Sequence, residues 1–257
     1  MKKLFQHCVL LLYRFAKWTG ALDTRIGKAI SNVFYSLYKK VLETNIGHLH
    51  QYVPPNTNII DVGANVGFFS IQFATWVSGT GRVIAIEPEQ ANFDTLVGTL
   101  KQKHITCVDL VLAAAVDHNG EAFLQLNPLN PADHRIGTTG IKIPAVTLDS
   151  LVASFTPLPI AFIKIDVQGA ELMVLKGATE ILRRWQPVLF IEIDEPSLNN
   201  LGTSSEELID FIFSFGYTMH ALTSQGITLA QSKTQAAQER LKLGYADFVF
   251  LPQTNPG

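Results

Sequence analysis

The sequence predicts one doubly wound α/β domain with a mostly parallel, seven-stranded sheet, an N-terminal helical extension and a β-hairpin insertion. Short apolar runs alternate with segments that carry apolar residues at helical spacing, which is typical of strand–helix–strand units. The apolar runs are continuous, so the strands should be covered on both faces. With 257 residues, 47% of them hydrophobic, the chain can fill one core of this kind.

Seven runs have strand character, and they are 59–62, 83–86, 110–116, 160–165, 188–193, 217–222 and 246–251. Helices are predicted at 67–78 and 89–101, and right-handed crossovers through such helices make neighbouring strands parallel. A later helix should begin at a capping box formed by Ser204 and Glu207. These elements justify the doubly wound arrangement.

The first 53 residues are predicted to form a helical lid or extension, and 54–257 the main domain. Residues 1–43 hold eight Lys or Arg and two acidic residues, a charge of +6 that leaves −8 for the rest of the chain. Either a solvated helical face or an arm that meets an acidic substrate or a membrane surface explains this charge. The first apolar run ends at Arg14, too early for a signal peptide, and a cytoplasmic location is expected.

The composition also bears on partners. The net charge is −2 and no basic stripe with interleaved aromatic residues is visible, which argues against a nucleic-acid partner. No apolar run approaches the roughly 18 residues of a membrane span. Cys8 and Cys107 lie far apart, so neither a disulfide framework nor a CxxC metal pair is predicted. The sequence does not indicate the oligomeric state.

The segment 59–70 is the first candidate for a ligand site. A strand ends in Asp61, a glycine loop follows, and a helix begins near Gly67. Asn65 stands where a dinucleotide fingerprint needs its second glycine, so a nucleotide-like ligand without a pyrophosphate fits better. A purely structural turn is the alternative. The predicted cofactor residues of this loop are Asp61, Gly63, Ala64, Asn65, Gly67 and Phe68.

Glu87 is the second candidate, because it ends the next strand about 20 residues beyond the loop. A carboxylate there can accept hydrogen bonds from both ribose hydroxyls of a nucleotide-like ligand. A plain surface carboxylate is the alternative. Pro88, next in the chain, and Ala115, at the end of the third strand, complete this predicted cofactor set.

Asp166 is the third candidate, because it ends another buried strand and should project into the same cleft. Lys164 lies two residues earlier on the same face, where a structural ion pair would explain it. Glu171 sits in the first turn of the next helix, where helix capping is an alternative to a functional role. Glu192 ends the neighbouring strand, and it is a candidate substrate-binding residue. Two carboxylates could hold Mg²⁺, but acidic strand ends are too common to predict a metal.

The turn-rich segment 121–146 predicts the hairpin insertion, and its loop carries Asp133, His134 and Arg135 in succession. A positioned base contributes about 10²–10⁴-fold to a reaction that removes a proton. His134 has a suitable intrinsic pKa, and Arg135 could clamp an anionic group of a substrate. The alternative is an exposed turn shaped by pairing between Asp133 and Arg135.

Taken together, these motifs resemble the FkbM-type methyltransferases, a family similar to class I methyltransferases. The resemblance covers roughly residues 50–195 and rests on DVGANVGFFS, AIEPEQANFDTL, VTLDSL and FIKIDVQGAELMVLKGA, followed by a strand that ends in Glu192. It implies S-adenosylmethionine as cofactor, a cofactor loop at 61–67, ribose binding by Glu87 and a cleft residue at Asp166. Many members methylate hydroxyl groups of sugars or natural products.

The expected activity is therefore O-methylation of a small-molecule hydroxyl, with His134 or Asp166 assisting proton removal and Asp133 as a further catalytic candidate. The alternatives are a non-catalytic S-adenosylmethionine-binding protein and, on the same kind of sheet, an NAD-dependent oxidoreductase. Asn65 in the glycine loop argues against the oxidoreductase.

Overall fold

A computed structural model describes residues 46–127, 134–155, 158–223, 225–228, 232, 234–235 and 245–253. The predicted N-terminal helices lie almost wholly outside the described residues, so the basic extension and the boundary at residue 53 stay predictions. Within the described part, no helix is long and apolar enough to cross a bilayer.

The main sheet consists of eight strands. They are β1 (Asn58–Val62), β2 (Val83–Ile86), β3 (Val108–Val111), β8 (Ile160–Ile165), β9 (Val188–Asp194), β10 (Tyr217–Thr223), β11 (Gly226–Ile227) and β12 (Tyr245–Pro252). Their order is β11-β10-β12-β9-β8-β1-β2-β3, and all neighbours from β9 to β3 are parallel. The doubly wound α/β prediction is confirmed. The strand beyond the expected seven is the two-residue β11, which pairs antiparallel with the end of β10 and begins at Gly226, whose φ is 111°.

Helices cover both faces of this sheet. They are a 3₁₀ helix (Ile46–Tyr52), α1 (Phe68–Ala74), α2 (Gln90–Gln102), α3 (Leu148–Ala153), α4 (Glu171–Lys176), α5 (Thr179–Arg184), α6 (Glu195–Asn200) and α7 (Ser205–Phe213). The 3₁₀ helix, α1 and α2 pack on one face, where an aromatic cluster joins Phe69, Phe73 and Phe162. Helices α3 to α7 pack on the other face over an aliphatic core. The central strands β1, β2, β8 and β9 are therefore buried on both faces along most of their length, as the continuous apolar runs predicted.

Two predicted boundaries were wrong. The helix expected at 67–78 ends at Ala74, because the N–H groups of Thr75 and Trp76 bond to carbonyls three residues back and tighten the last turn. The third strand, expected at 110–116, breaks after Val111.

The break in the third strand starts a second, smaller sheet. Its strands are β4 (Ala114–Ala115), β5 (Gly120–Gln125), β6 (Arg135–Gly137) and β7 (Ile141–Val146), in the order β4-β7-β5-β6. Strand β5 is antiparallel to both β6 and β7, so the insertion contains the hairpin pairing that its turn-rich sequence predicted. Because β4 follows β3 directly, the second sheet is held at the carboxyl edge of the main sheet.

The capping box of α7 generates a stability prediction. Ser204 Oγ accepts the Glu207 N–H at 3.2 Å, and Glu207 Oε2 accepts the Ser204 N–H at 3.2 Å. Ser204→Ala should lower the free energy of unfolding by about 1 kcal/mol, measured by urea denaturation. The matched control is Ser154→Ala, which removes an exposed hydroxyl bonded only to a carbonyl of its own helix and should change the value by less than about 0.5 kcal/mol. Equal losses in the two variants would contradict the cap assignment.

Candidate functional site

A cleft opens at the carboxyl ends of β1, β2 and β8, where the strand order of the main sheet reverses. The main sheet supplies one wall and the second sheet supplies the other. The lining residues are Val62, Gly63, Asn65, Ile86, Glu87, Pro88, Asn92, Ala113, Ala114, Ala115, Leu124, His134, Ile136, Asp166, Val167, Gln168 and Ala170. A cleft at the switch point is where open α/β sheets bind ligands.

The backbone N–H groups of the glycine loop donate to acceptors within the protein itself. The acceptors are Ile86 O for Gly63 and Ala64, Glu87 Oε2 for Asn65, Asn65 Oδ1 for Val66, and Ala64 O for Gly67, all at 2.7–3.0 Å. A loop that binds pyrophosphate presents such groups to the ligand instead. The loop is therefore built for a ligand that needs no phosphate cradle, which disfavours the dinucleotide alternative.

Glu87 organises the cleft end of this loop. Its side chain accepts the N–H of Asn65 at 2.8 Å and that of Glu89 at 3.0 Å, and the Asn92 amide lies 3.4 Å away. The residue is only 4% exposed, yet it lines the cleft. Burial raises the pKa of Glu87 to about 7, and the hydrogen bonds from Glu89, Asn65 and Asn92 oppose that rise. Glu87 is thus a buried acceptor in the cleft wall and not a plain surface carboxylate.

Two loop glycines are needed for packing. A Cβ at Gly63, whose φ is 74°, would overlap the carbonyl oxygen of Asp166, so only glycine lets the β1 loop touch the end of β8. A Cβ at Gly67, whose φ is 94°, would overlap the Leu96 side chain of α2. Gly67 is buried and serves the contact between α1 and α2.

Lys164 joins the ends of β1 and β8. Its ammonium lies 3.4 Å from Asp61 Oδ1 and 3.5 Å from Asp166 Oδ2, and it donates to the carbonyl oxygen of Gly63 at 2.9 Å. Asp61 is fully buried and also accepts from the Ser70 hydroxyl at 2.6 Å. The ion pair expected for Lys164 is therefore present, and it extends to a second carboxylate. Asp61 supports the loop from beneath rather than lining the cleft.

Gln168 links Asp166, which follows β8 and lines the cleft, to Glu192, which lies within β9 and not at its end as predicted. Its amide nitrogen donates to Asp166 Oδ1 at 3.2 Å and to Glu192 Oε2 at 3.0 Å. Its backbone is left-handed, with φ at 55°, a conformation that costs a non-glycine residue free energy and that persists only when surrounding contacts enforce it. Sequence reasoning missed Gln168, although a polar residue between a strand-ending Asp and a Gly was a usable signal.

Glu171 holds the loop that carries Asp166 and Gln168. Its Oε1 accepts the Gly169 N–H at 3.0 Å and the Val167 N–H at 3.4 Å. Its other oxygen is buried without a hydrogen-bond partner among the described residues. Burial raises the pKa of Glu171 to about 7, against the opposing effect of the backbone donors. Glu171 does lie in the first turn of α4, as the capping alternative expected. Its hydrogen bonds show that it also holds the loop that precedes the helix.

The second sheet brings His134 to the cleft. His134 and Ile136 line the cleft, while Arg135 between them falls on the opposite face of β6, because successive strand residues alternate. The His134 ring accepts the Asn127 N–H at Nδ1, at 3.0 Å. Asp133 lies outside the described residues.

The structure therefore brings together only part of the predicted set. Those that line the cleft are Gly63, Asn65, Glu87, Pro88, Ala115, His134 and Asp166. Ala64 is buried against α2, Phe68 packs beside Phe69, and Glu192 reaches Asp166 through Gln168. Asn92, Ala113 and Leu124 line the cleft but were missed, because no local pattern marks them.

Residues 61–219 match the family described as "Methyltransferase FkbM domain". The chain belongs to the FkbM methyltransferase family. It is 30% identical over 136 residues to the hexuronic acid methyltransferase AglP of Haloferax volcanii, an alignment that covers 52% of this chain and 54% of that protein. The structure of the methyltransferase FkbM from Methylobacillus flagellatus KT superposes with a TM-score of 0.51 at 18% identity, covering 86% of this chain and 54% of that one. The chain thus spans about half the length of both relatives.

In the part of this FkbM-family chain that the structure describes, no group of three or more His, Cys, Asp or Glu residues is arranged to hold a metal ion. The Gln168 amide donates to both Asp166 and Glu192, the two carboxylates that could hold Mg²⁺ on sequence grounds.

The two buried acids generate a prediction on pH. The pKa of Glu87 and of Glu171 is about 7 in the folded protein and 4.5 for an ordinary glutamate side chain. Between these two pH values the folded state therefore keeps protons that the unfolded state releases. Their contribution is fully present below pH 4.5 and is lost as pH rises through 7, by about 3 kcal/mol for each group. Urea denaturation gives the free energy of unfolding at pH 5 and at pH 7.5. The decrease between these two pH values should be smaller for Glu171→Gln than for the wild type. The control Glu121→Gln alters an exposed carboxylate beside Lys142 and should leave the fall unchanged. An unaltered fall in Glu171→Gln would refute the assignment.

Proposed function

We propose that this chain is an S-adenosylmethionine-dependent methyltransferase that acts on an oxygen atom of a small, hydroxyl-bearing molecule such as a sugar. The observation that carries the proposal is the Glu87 carboxylate in the cleft wall, beside a glycine loop whose N–H groups are already bonded within the protein. This arrangement offers an acceptor for a nucleoside diol and no cradle for a phosphate.

The residues present fit such a cofactor. Glu87 would accept hydrogen bonds from the ribose hydroxyls, and the small side chains of Ala113 to Ala115 with Leu124 offer an apolar surface for the base. S-adenosylmethionine, when bound, supplies a methyl group activated by a sulfonium centre. The carboxylates of Glu87 and Asp166 line the cleft and would favour a cationic ligand over an anionic one.

The acceptor end of the cleft suits a hydroxyl-rich molecule. Asp166 lines the cleft and Glu192 is tied to it by Gln168, so carboxylate acceptors gather beside the methyl-transfer site. The name of the Haloferax relative, a hexuronic acid methyltransferase, supports a sugar-like acceptor. The acidic wall would repel nucleic-acid phosphates. The candidate proton acceptors are His134 or Asp166, with Asp133 a further candidate, whereas Arg135 lies on the opposite face of β6.

Cofactor binding is the first test. S-adenosylhomocysteine should bind with a Kd in the micromolar range by calorimetry, and at about 100 times Kd it should add roughly 2.7 kcal/mol to the free energy of unfolding. Glu87→Ala should weaken binding at least tenfold, since bonds to a charged acceptor contribute about 1.5–3 kcal/mol each. Glu121→Ala, a carboxylate on the outer surface of the second sheet, serves as the matched control and should bind normally. Binding of NAD in place of S-adenosylhomocysteine would overturn the proposal.

Turnover is the second test, because it separates the enzyme from a non-catalytic binding protein. Radiolabelled S-adenosylmethionine is incubated with glucuronic acid, glucose and their methyl glycosides, and methylated products are identified by mass. Product formed by the wild type supports the enzyme. A protein that binds S-adenosylhomocysteine but methylates nothing across a wide panel of hydroxyl compounds would favour the binding-protein alternative.

A further inference from the structure

Two side chains of the cleft have the chemistry to take a proton, and they come from opposite walls. Asp166 immediately follows β8 of the main sheet, and His134 immediately precedes β6 of the second sheet. Residue type alone favours His134, whose ordinary pKa is near neutral. The hydrogen bonds of the two side chains favour Asp166 instead as the proton acceptor.

His134 is held in the tautomer that cannot act as a base. Its Nδ1 lies 3.0 Å from the backbone nitrogen of Asn127, which can only donate. Nδ1 must therefore present its lone pair to that N–H, and the single proton of the neutral ring is on Nε2. A proton cannot be taken at Nε2, which already carries one. Taking it at Nδ1 would break the bond to Asn127 and set two N–H groups against each other.

The contacts of Asp166 favour its deprotonated form, which is the form that can accept a proton. The Lys164 ammonium lies 3.5 Å from Oδ2, and the Gln168 amide donates to Oδ1 at 3.2 Å. Donors on both oxygens stabilise the carboxylate form. The side chain is 17% exposed and lines the cleft.

We infer that Asp166 is the proton acceptor of the methyl transfer and that His134 is a hydrogen-bond donor in the cleft wall. The inference rests on the proposed function. In the step, the acceptor hydroxyl oxygen bonds to the methyl carbon, the carbon–sulfur bond breaks with its electron pair passing to sulfur, and the hydroxyl proton moves to the Asp166 carboxylate. The sulfonium charge is thereby cancelled, and the proton leaves Asp166 to solvent before the next turnover.

The tautomer is tested first, on the full chain and without any substrate. Long-range ¹H–¹⁵N spectra of the ¹⁵N-labelled protein at pH 8 distinguish a protonated Nδ1 from a protonated Nε2, and the signal lost in His134→Gln identifies His134. His220 is the internal control, because its Nδ1 lies 2.8 Å from the carbonyl oxygen of Thr228 and must donate to it. Opposite tautomers are expected, with the proton on Nε2 in His134 and on Nδ1 in His220. A proton on Nδ1 of His134 would overturn the inference.

Kinetics with the acceptor probe that the wild type methylates test the roles. His134→Ala should lower kcat by about tenfold, and His134→Gln, whose amide can donate from nearly the position of Nε2, should recover activity to within about threefold of the wild type. Asp166→Asn should lose at least about 100-fold in kcat. All three variants should bind S-adenosylhomocysteine within about threefold of the wild type.

The outcomes separate this inference from the proposed function. Absence of S-adenosylhomocysteine binding by the wild type would defeat the proposed function. A binding-competent, active wild type in which His134→Gln is as impaired as His134→Ala, both by 100-fold or more, would instead identify His134 as the base. Should Asp166→Asn fail to fold, the His134 pair and the tautomer still decide the question.

Discussion

The cleft depends on one buried cation. The Lys164 ammonium lies between Asp61 and Asp166 and donates to the Gly63 carbonyl, so a single group ties the end of β1 to the end of β8. It also sits 5.0 Å from the centre of the Phe69 ring, in the aromatic core beneath. Removing one partner of a buried ion pair leaves an uncompensated buried charge. The resulting loss of stability is much larger than the net stability that the intact pair contributes. Because the two strands meet where the sheet order reverses, this ammonium fixes the place and the shape of the site.

Near this ammonium, two buried glutamates each accept backbone N–H groups from one loop. Glu87 collects the N–H groups of Asn65 and Glu89, and Glu171 collects those of Val167 and Gly169. Both loops are thereby held by internal hydrogen bonds, and these N–H donors are not available to a phosphate. A cleft built in this way is rich in acceptors and poor in backbone donors. Such a cleft would favour hydroxyl groups and positive charge, which are features of the sulfonium nucleoside and the sugar proposed as its ligands.

The parts of this site that sequence could predict are those that a local pattern encodes. A strand followed by a carboxylate or a glycine loop marks Glu87, Asp166 and Gly63, since the carboxyl ends of parallel strands meet at one edge. Gly67 combines a left-handed backbone, with φ at 94°, and a close approach to Leu96 on another helix, a contact that no local spacing reveals. The missed cleft residues share this origin, because Asn92, Ala113 and Leu124 reach the cleft only through tertiary packing. The fold was predicted better than the site because strand and helix periodicity is local, whereas hydrogen-bond partners are not.

The neighbours His134 and Arg135 show the same limit. Residue type suggested a base and a clamp side by side, but strand alternation allows neighbours on β6 to face the same cleft only at every second position. His134 therefore enters the cleft together with Ile136, and Arg135 does not. The backbone of Asn127 then determines which His134 nitrogen can hold a proton, and with it the chemistry that the ring can perform. On this reasoning the main sheet carries the proton-accepting group, fixed by Lys164, while the second sheet contributes donors and apolar surface. The second sheet could then differ with the acceptor without altering Asp166, the carboxylate inferred to accept the proton.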